Sequence, residues 1–388
     1  MTGNDRYKGH FFDIFGVLSD IRQEGKVMHK LIDILFIIVS ASFCNINNVH
    51  DISIWAGVEK NQEWLKNYIE LPNGIPSLST FRRALRVIEP KQFEKLFMLW
   101  TKKLTVFSED GGDIVAIDGK TMRGSRNGDS ITHIVSAWCS VNNIVLGQVK
   151  TEDKSNEITA IPELLKLLYL EGCIITIDAM GCQKAIVKEI RRKKADYVIS
   201  LKGNQETLHQ DVKDYFEYIK EEEADIKEGK NEKVGYTKTF EKGHGRIESR
   251  EYYYSTDIDW MKEQKKDWKD LTGIGMVYRK ITRGDIVTEE IQHYIGSLTD
   301  VTLFAKAARQ HWGIECAHWQ LDVTFKDDAD RTRKDCTPQN LAVARRIALN
   351  MVRNEKELYP KYSANSKRLT ALLDEEYRSH IFDLNFGN

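Results

Sequence analysis

The sequence predicts an α/β fold in which a mixed sheet is flanked by helices, with a helical N-terminal domain and a β-rich insertion. Apolar residues recur at helical spacing near the N-terminus, at Leu31, Ile34, Leu35, Ile38 and Val39. Short apolar runs typical of buried strands begin at residue 113, and alternation with period two dominates residues 233–297. We therefore divide the chain into residues 1–105, 106–205 with 298–357, 206–297, and a C-terminal tail at 358–388.

Composition excludes several classes of protein. The 388 residues carry 57 basic and 58 acidic side chains, a net charge of −1, so binding to nucleic acid by bulk positive charge is excluded while a local basic channel is not. None of the six cysteines forms a C-x-x-C pair, which argues against a zinc ribbon. The first ten residues are too polar for a secretory signal, and the apolar run from Leu31 to Cys44 is too short to span a bilayer. We expect a cytoplasmic protein.

The N-terminal region contains a short basic helix. Leu71 to Ser77 reads as a turn, after which Ser77 or Ser79 is positioned to cap a helix that ends near Pro90. This helix carries Arg82, Arg83 and Arg86. Three arginines on one helix suit a phosphate backbone, although a solvated charged face is the alternative.

The predicted sheet follows the order β-β-β-α-β-α-β. Its elements are strands at 113–118, 133–141, 144–151, 173–178 and 197–201, and helices at 157–171 and 183–194. Residues 206–232 hold ten acids against four lysines and read as an exposed charged helix. Two hairpins are predicted to turn at 241–245 and 283–285. Helical spacing returns at 303–326 and again at 338–357.

Two of the predicted strands end in an aspartate, at Asp118 and Asp178. If these strands are parallel neighbours, both carboxylates emerge at the same sheet edge. Their mutual repulsion is relieved by a divalent cation, which takes oxygen ligands. Glu315, on an aromatic-rich helix, is the candidate third acid, but Asp322 shares its helix face. The alternative for each aspartate is an ordinary cap or turn residue.

Several strings together resemble one protein family. They are Ala116 to Ser125, Ile177 to Gln183 and His311 to Glu315, with flanking matches at 71–77, 201–205, 242–248 and 321–328. In these strings the chain resembles the bacterial DDE transposases of the H-repeat-associated, insertion-sequence As type. The match runs over nearly the whole chain.

The resemblance implies a ribonuclease-H-like catalytic core in which Asp118, Asp178 and Glu315 bind metal. It implies cleavage of DNA at transposon ends and strand transfer into a target, with two Mg²⁺ or Mn²⁺ ions as cofactors. Double-stranded DNA is the expected partner of a homodimer associated with the bacterial nucleoid, with no membrane involved. The alternative is a ribonuclease-H-like nuclease, or a domesticated relative, that cuts or binds DNA without transposing.

Local positive charge is expected to contact the DNA. Residues 182–202 and 331–353 each carry a net charge of +5. The candidate DNA-binding residues are Arg82, Arg83, Arg86, Lys120, Arg123, Lys202, Arg246, Arg309, Arg331 and Arg333. Related transposases carry a Tyr-Arg-Glu-Lys signature around the third acid, whereas this chain has His311 and Asp322 where the arginine and lysine are expected. His311 and His318 are interpreted as packing or phosphate-contact residues, because the spacing of a zinc motif is missing.

Overall fold

The computed structural model describes residues 10–23, 25–128, 130–151, 157–243 and 245–387. Its N-terminal part is helical, as predicted, and comprises α1 (His10–Phe15), α2 (Leu31–Phe43), α3 (Val49–Gly57), α4 (Glu59–Lys66), α5 (Leu78–Val87) and α6 (Pro90–Leu104). Helix α2 is buried almost all round, as its continuous apolar sequence requires. The Ser77 side chain caps α5 by accepting a hydrogen bond from the Thr80 amide, at 3.3 Å.

The central sheet has the predicted mixed topology. It begins with β1 (Ile114–Asn127), β2 (Ser130–Cys139), β3 (Ile144–Thr151), β4 (Ile174–Ile177) and β5 (Asp196–Leu201), in the spatial order β3-β2-β1-β4-β5. Strands β1, β4 and β5 are parallel, and β2 is antiparallel to its neighbours. Helices α7 (Glu157–Leu167) and α8 (Lys184–Arg192) pack on one face. This is the ribonuclease-H-like arrangement expected for residues 106–205.

The prediction that the first strand ends at Asp118 is wrong. Strand β1 continues to Asn127 because its pairing with β2 persists after β4 stops at Ile177. Asp118 therefore lies within a strand, at the position where the parallel pairing on one side ends. Asp178 does follow the end of its strand, as predicted.

The region predicted as a β-rich insertion extends the same sheet. It contains α9 (Glu206–Tyr218), α10 (Glu223–Lys227), β6 (Val234–Gly243), β7 (Arg246–Ser255), α11 (Lys262–Asp267), β8 (Gly273–Arg283) and β9 (Ile286–Gly296). Strand β9 pairs antiparallel with β5, so that one sheet of nine strands continues β5-β9-β8-β7-β6. The hairpin turn at 283–285 is confirmed, whereas His244 in the other predicted turn lies outside the described residues.

The single helical segment predicted for 303–326 consists of two helices, α12 (Val301–Gln310) and α13 (Trp312–Val323). The chain changes direction at His311, and Gly313 then lies directly against Trp138. A Cβ atom added to Gly313 would stand 2.7 Å from the indole nitrogen, so the first turn of α13 approaches the sheet more closely than any larger residue permits.

The last three helices complete the N-terminal helical core. They are α14 (Thr337–Asn354), α15 (Ala364–Leu373) and α16 (Glu375–Phe386). The segment predicted only as a tail thus contains two helices. Phe382 and Phe386 are buried against Phe11 and Phe36, which joins the two ends of the described chain in one apolar cluster. Among the described residues, no helix has both the length and the apolar character needed to cross a bilayer.

Candidate active site

Asp118 and Asp178 lie at equivalent positions on neighbouring parallel strands. Four residue pairs join β1 and β4, and the last is Ile117 with Ile177. Each aspartate is the next residue of its strand. Side chains alternate between the faces of a sheet, so both aspartates follow Ala116 and Thr176 onto the face that packs against α12 and α13.

Helix α13 brings Glu315 to this face. The helix packs on β1 and β2, and Glu315 shares an open cleft with Asp178. Ile314 and Ala317 are buried beneath the helix, whereas Glu315, next to Ile314, is exposed towards the cleft. Glu315 thus lies on the same face of the sheet as the two aspartates.

The surroundings of the three acids shift their pKa values in different directions. Burial raises the pKa of Asp178, and the charge of Asp118 adds to this shift, against an opposing hydrogen bond from the Gly181 amide. Burial and the charge of Asp118 likewise raise the pKa of Glu315. The pKa of Asp118 is lowered despite its burial, because a hydrogen bond with His318 and the nearby histidines favour its charged form.

The two histidines around Glu315 contact the strand ends. His318 Nδ1 lies 3.4 Å from Asp118 Oδ2, and His311 Nδ1 lies 2.9 Å from the Thr176 hydroxyl. Burial lowers the pKa of His311 even though both aspartates favour its protonated form. These contacts orient the first acid and fix the junction of α12 and α13.

Asp322, the alternative third acid, forms an ion pair with Lys120. Its carboxylate lies 2.5 Å from Lys120 Nζ, which is also 3.1 Å from Asp328. Lys120 is 6% exposed, so the structure gives it an internal ion pair rather than the predicted access to DNA. A buried lysine between two carboxylates anchors the loop after α13 onto β1.

The donor atoms of the three acids suit a hard divalent cation, since all are carboxylate oxygens. Among the described residues, no three His, Cys, Asp or Glu side chains stand close enough together to hold an ion in their present rotamers. One oxygen of Asp118 faces His318, and Asp178 Oδ1 accepts hydrogen bonds from the Met180 and Gly181 amides. An ion bound by all three acids would therefore require their side chains to move.

The other predicted DNA-binding residues lie in different places. Arg82 and Arg83 are exposed on α5, and Arg86 is partly buried, 3.8 Å from Asp335. Arg123, Arg331 and Arg333 are exposed near the far end of β1, where Arg333 donates to the Gly124 carbonyl at 3.3 Å. Lys202 and Arg309 line the cleft that holds Asp178 and Glu315. Arg246 is partly exposed and lies 3.2 Å from Glu248.

Several basic residues of the two segments are buried or paired with acids. Of the six basic residues in 331–353, Arg345 and Arg346 are buried, and Arg353 stacks over Trp138. Arg345 pairs with Asp327 and Asp330. In 182–202, the side chains of Lys184, Arg191, Arg192 and Lys194 are paired with acids. Charge counted along the sequence therefore overestimated the basic surface of both segments.

Sequence reasoning missed two arginines of the cleft, Arg250 on β7 and Arg279 on β8. They stand directly opposite each other in the sheet. Period-two alternation placed both on strands, but the pairing of those strands was needed to bring them together. They contact Glu248, whose side chain is 1% exposed.

Two family models match the chain. The model described as "DDE_Tnp_1-associated" matches residues 12–101, and the model described as "Transposase DDE domain" matches residues 109–351. The first falls on the N-terminal helices, and the second contains Asp118, Asp178 and Glu315.

Curated relatives align over almost the full length. A protein of Escherichia coli O157:H7 named "Putative transposase YncI" is 40% identical over 379 residues, covering 95% of this chain and 93% of its own. The "H repeat-associated putative transposase YhhI" of Escherichia coli K12 is 34% identical, covering 94% and 95%. A solved piggyBac transposase synaptic complex with hairpin DNA aligns with 94% of this chain and 73% of its own, at 10% identity and a TM-score of 0.40.

Proposed function

Because this chain belongs to the transposase DDE domain family, whose members are metal-dependent DNA nucleases and strand transferases, we propose that Asp118, Asp178 and Glu315 are its catalytic triad. The observation that carries this assignment is the register of β1 and β4, which places the two aspartates side by side on the face covered by α13. Glu315 adds support, because it lines the same cleft as Asp178.

We assign the triad to Mg²⁺ or Mn²⁺, in two sites. When bound, such ions make an attacking oxygen nucleophilic and stabilise the leaving oxygen of an in-line displacement at phosphorus. The negative charges of the three carboxylates would keep the divalent ions in the site. His318 orients Asp118, and Thr176 holds His311 beside the cluster. Water as the nucleophile cuts DNA, and a freed 3′-hydroxyl joins it to a target.

The substrate proposed for the cleft is double-stranded DNA bearing the ends of the element. Lys202 and Arg309 line the cleft with Asp178 and Glu315 and suit its phosphates. We assign a further phosphate contact to Arg246, at the start of β7. We propose that residues 1–105 recognise the ends through Arg82 and Arg83 on α5, and that Arg86, Arg123, Arg331 and Arg333 add phosphate contacts. The active form on DNA is proposed to be a homodimer at the bacterial nucleoid. Lys120 is left out of this set, since it is buried.

The proposal is tested with the purified chain and DNA taken from either side of its gene. Wild-type protein with Mg²⁺ should nick this DNA and join the freed 3′ end to a plasmid target. Glu315→Gln should bind the same DNA but give neither product. Cleavage by Glu315→Gln at the wild-type rate would remove Glu315 from the triad. Nicking by the wild type without joining would favour the nuclease alternative.

A further inference from the structure

The wall of the cleft opposite α13 contains an unusual pair of like charges. Arg250 and Arg279 are direct cross-strand neighbours on β7 and β8, and their side chains are only 11% and 23% exposed. Like charges in this relation destabilise a sheet. Arg309, in the last turn of α12, adds a third guanidinium to the same cleft. The sheet therefore carries a local concentration of positive charge that folding alone does not favour.

Three glutamates, Glu241, Glu248 and Glu290, offset this charge, and the first two do so in different ways. Glu248 is buried and pairs with both Arg250 and Arg279, so it fixes their positions. Glu241 is partly exposed, with 43% of its side chain accessible. It accepts two hydrogen bonds from Arg309, at 2.7 and 3.0 Å, and one from Arg250 at 3.2 Å. Arg246 also lies beside Glu248, and Glu290 lies 3.5 Å from Arg279, so four arginines face three glutamates and leave one net positive charge.

We propose that Arg250, Arg279 and Arg309 form a phosphate cradle for the backbone of DNA in the cleft, and that Glu241 occupies the place of that phosphate in the free protein. The guanidinium fork that grips a carboxylate through two parallel hydrogen bonds grips a phosphate in the same way. Glu241 is accessible to solvent, so an incoming phosphate is able to displace it. Glu248 remains in place as the positioning residue. This inference rests on the proposed DNA-cleaving function.

The cradle and two of the proposed catalytic acids line one cleft. Arg250, Arg279 and Arg309 share it with Asp178 and Glu315. A phosphate held by the cradle would thus belong to the same DNA strand as the phosphodiester being cut, some nucleotides away from it. Holding the DNA strand at this second point helps to align the scissile phosphodiester bond with the triad.

The experiment compares two substitutions that remove opposite charges from one ion pair. Binding of a random duplex and of a duplex from the DNA beside the gene is measured in chelator, at several salt concentrations. Arg309→Gln should weaken binding about tenfold and lower the salt slope by about one unit. Glu241→Gln should strengthen binding about two- to fivefold, because it frees Arg309. Arg283→Gln, an exposed change at the tip of the β8–β9 hairpin, should alter neither quantity.

The opposite signs separate a phosphate cradle from an ion pair that only supports the fold. A purely structural pair would lower the melting temperature in both variants and leave DNA binding of the folded fraction unchanged, and that result would overturn the cradle. If Glu241→Gln binds DNA more weakly than wild type, the proposal that a DNA phosphate takes the place of Glu241 is wrong. If both variants bind like wild type while Glu315→Gln still fails to cut, the cradle is wrong and the proposed function stands. If wild-type protein neither binds nor cuts either duplex, the proposed function itself fails.

Discussion

Asp118 and Asp178 are placed side by side by the same hydrogen-bond register, each one residue beyond the last parallel pair of β1 and β4. Their separation is therefore set by the backbone of the sheet rather than by loop conformation. Glu315 joins them from a helix whose own position depends on the close approach of Gly313 to Trp138.

Asp118→Asn, Asp178→Asn and Glu315→Gln should each reduce DNA cleavage by at least about a thousandfold, because each removes a charge that retains the metal while preserving shape. DNA affinity should stay within about threefold of wild type, since phosphate contacts supply it. Cleavage and binding assays on the same preparations check this. Asp259→Asn, an exposed surface change, is the control. Near-normal cutting by one variant would exclude that residue from the triad.

Cleavage should require Mg²⁺ or Mn²⁺ and stop in excess chelator. Ca²⁺ should support DNA binding without cutting, because its looser coordination aligns an in-line attack poorly. Product formation is followed on a labelled duplex at fixed ionic strength. Full activity in chelator would refute the metal mechanism, and activity restored by Zn²⁺ alone would redirect attention to His311, His318 and Cys316.

As the pH is lowered, metal binding should begin to weaken sooner than it would at a site made of carboxylates with ordinary pKa values. Asp178 and Glu315 have pKa values raised above their ordinary 3.8 and 4.5, so they take up protons, and lose metal, earlier during acidification. Asp118, with its lowered pKa, stays charged throughout this window. Titration of the DNA-free protein with Mn²⁺, followed by electron paramagnetic resonance at a series of pH values, measures the effect. An affinity that stays constant down to the ordinary carboxyl range would contradict it.

Arg82→Gln combined with Arg83→Gln should weaken DNA binding and lower the salt slope by up to about two units, because both side chains are exposed on α5. If α5 reads the ends of the element, the loss should be larger for DNA beside the gene than for random DNA. The matched control is Lys91→Gln with Lys95→Gln on α6, which removes the same charge from another exposed face. Equal losses in the two double variants would reject a special role for α5.

Arg345→Ala should destabilise the fold by about 3–5 kcal/mol, because it leaves Asp327 and Asp330 without their buried partner. Urea unfolding followed by circular dichroism gives the free energy of unfolding. Arg331→Ala, at an exposed position nearby, should change it by less than about 0.5 kcal/mol. A stable Arg345→Ala protein with weakened DNA binding would instead return Arg345 to the DNA-contacting surface.

The neighbouring positions of Asp118 and Asp178 were predictable because an apolar run followed by an acid is a local pattern, although β1 continues past Asp118. The order of the strands in the sheet could be predicted from the β-β-β-α-β pattern alone. The parallel pairing of β1 with β4 confirmed that these two strands are neighbours. The basic surface was not predictable in the same way. A charge count does not distinguish Arg345, buried in an ion pair, from Arg331 on the surface. The meeting of Arg250 and Arg279 depends on strand pairing across about thirty residues, which local alternation does not specify.

The union of α15 and α16 with the N-terminal helices has a consequence for biosynthesis. Phe11 and Phe36 emerge from the ribosome early, but the rings that cover them, Phe382 and Phe386, are made last. At the usual pace of translation, the growing chain holds an unfinished apolar surface for tens of seconds. A premature stop codon shortly before residue 364 would therefore leave Asp118, Asp178 and Glu315 encoded but would remove the rings that cover Phe11 and Phe36.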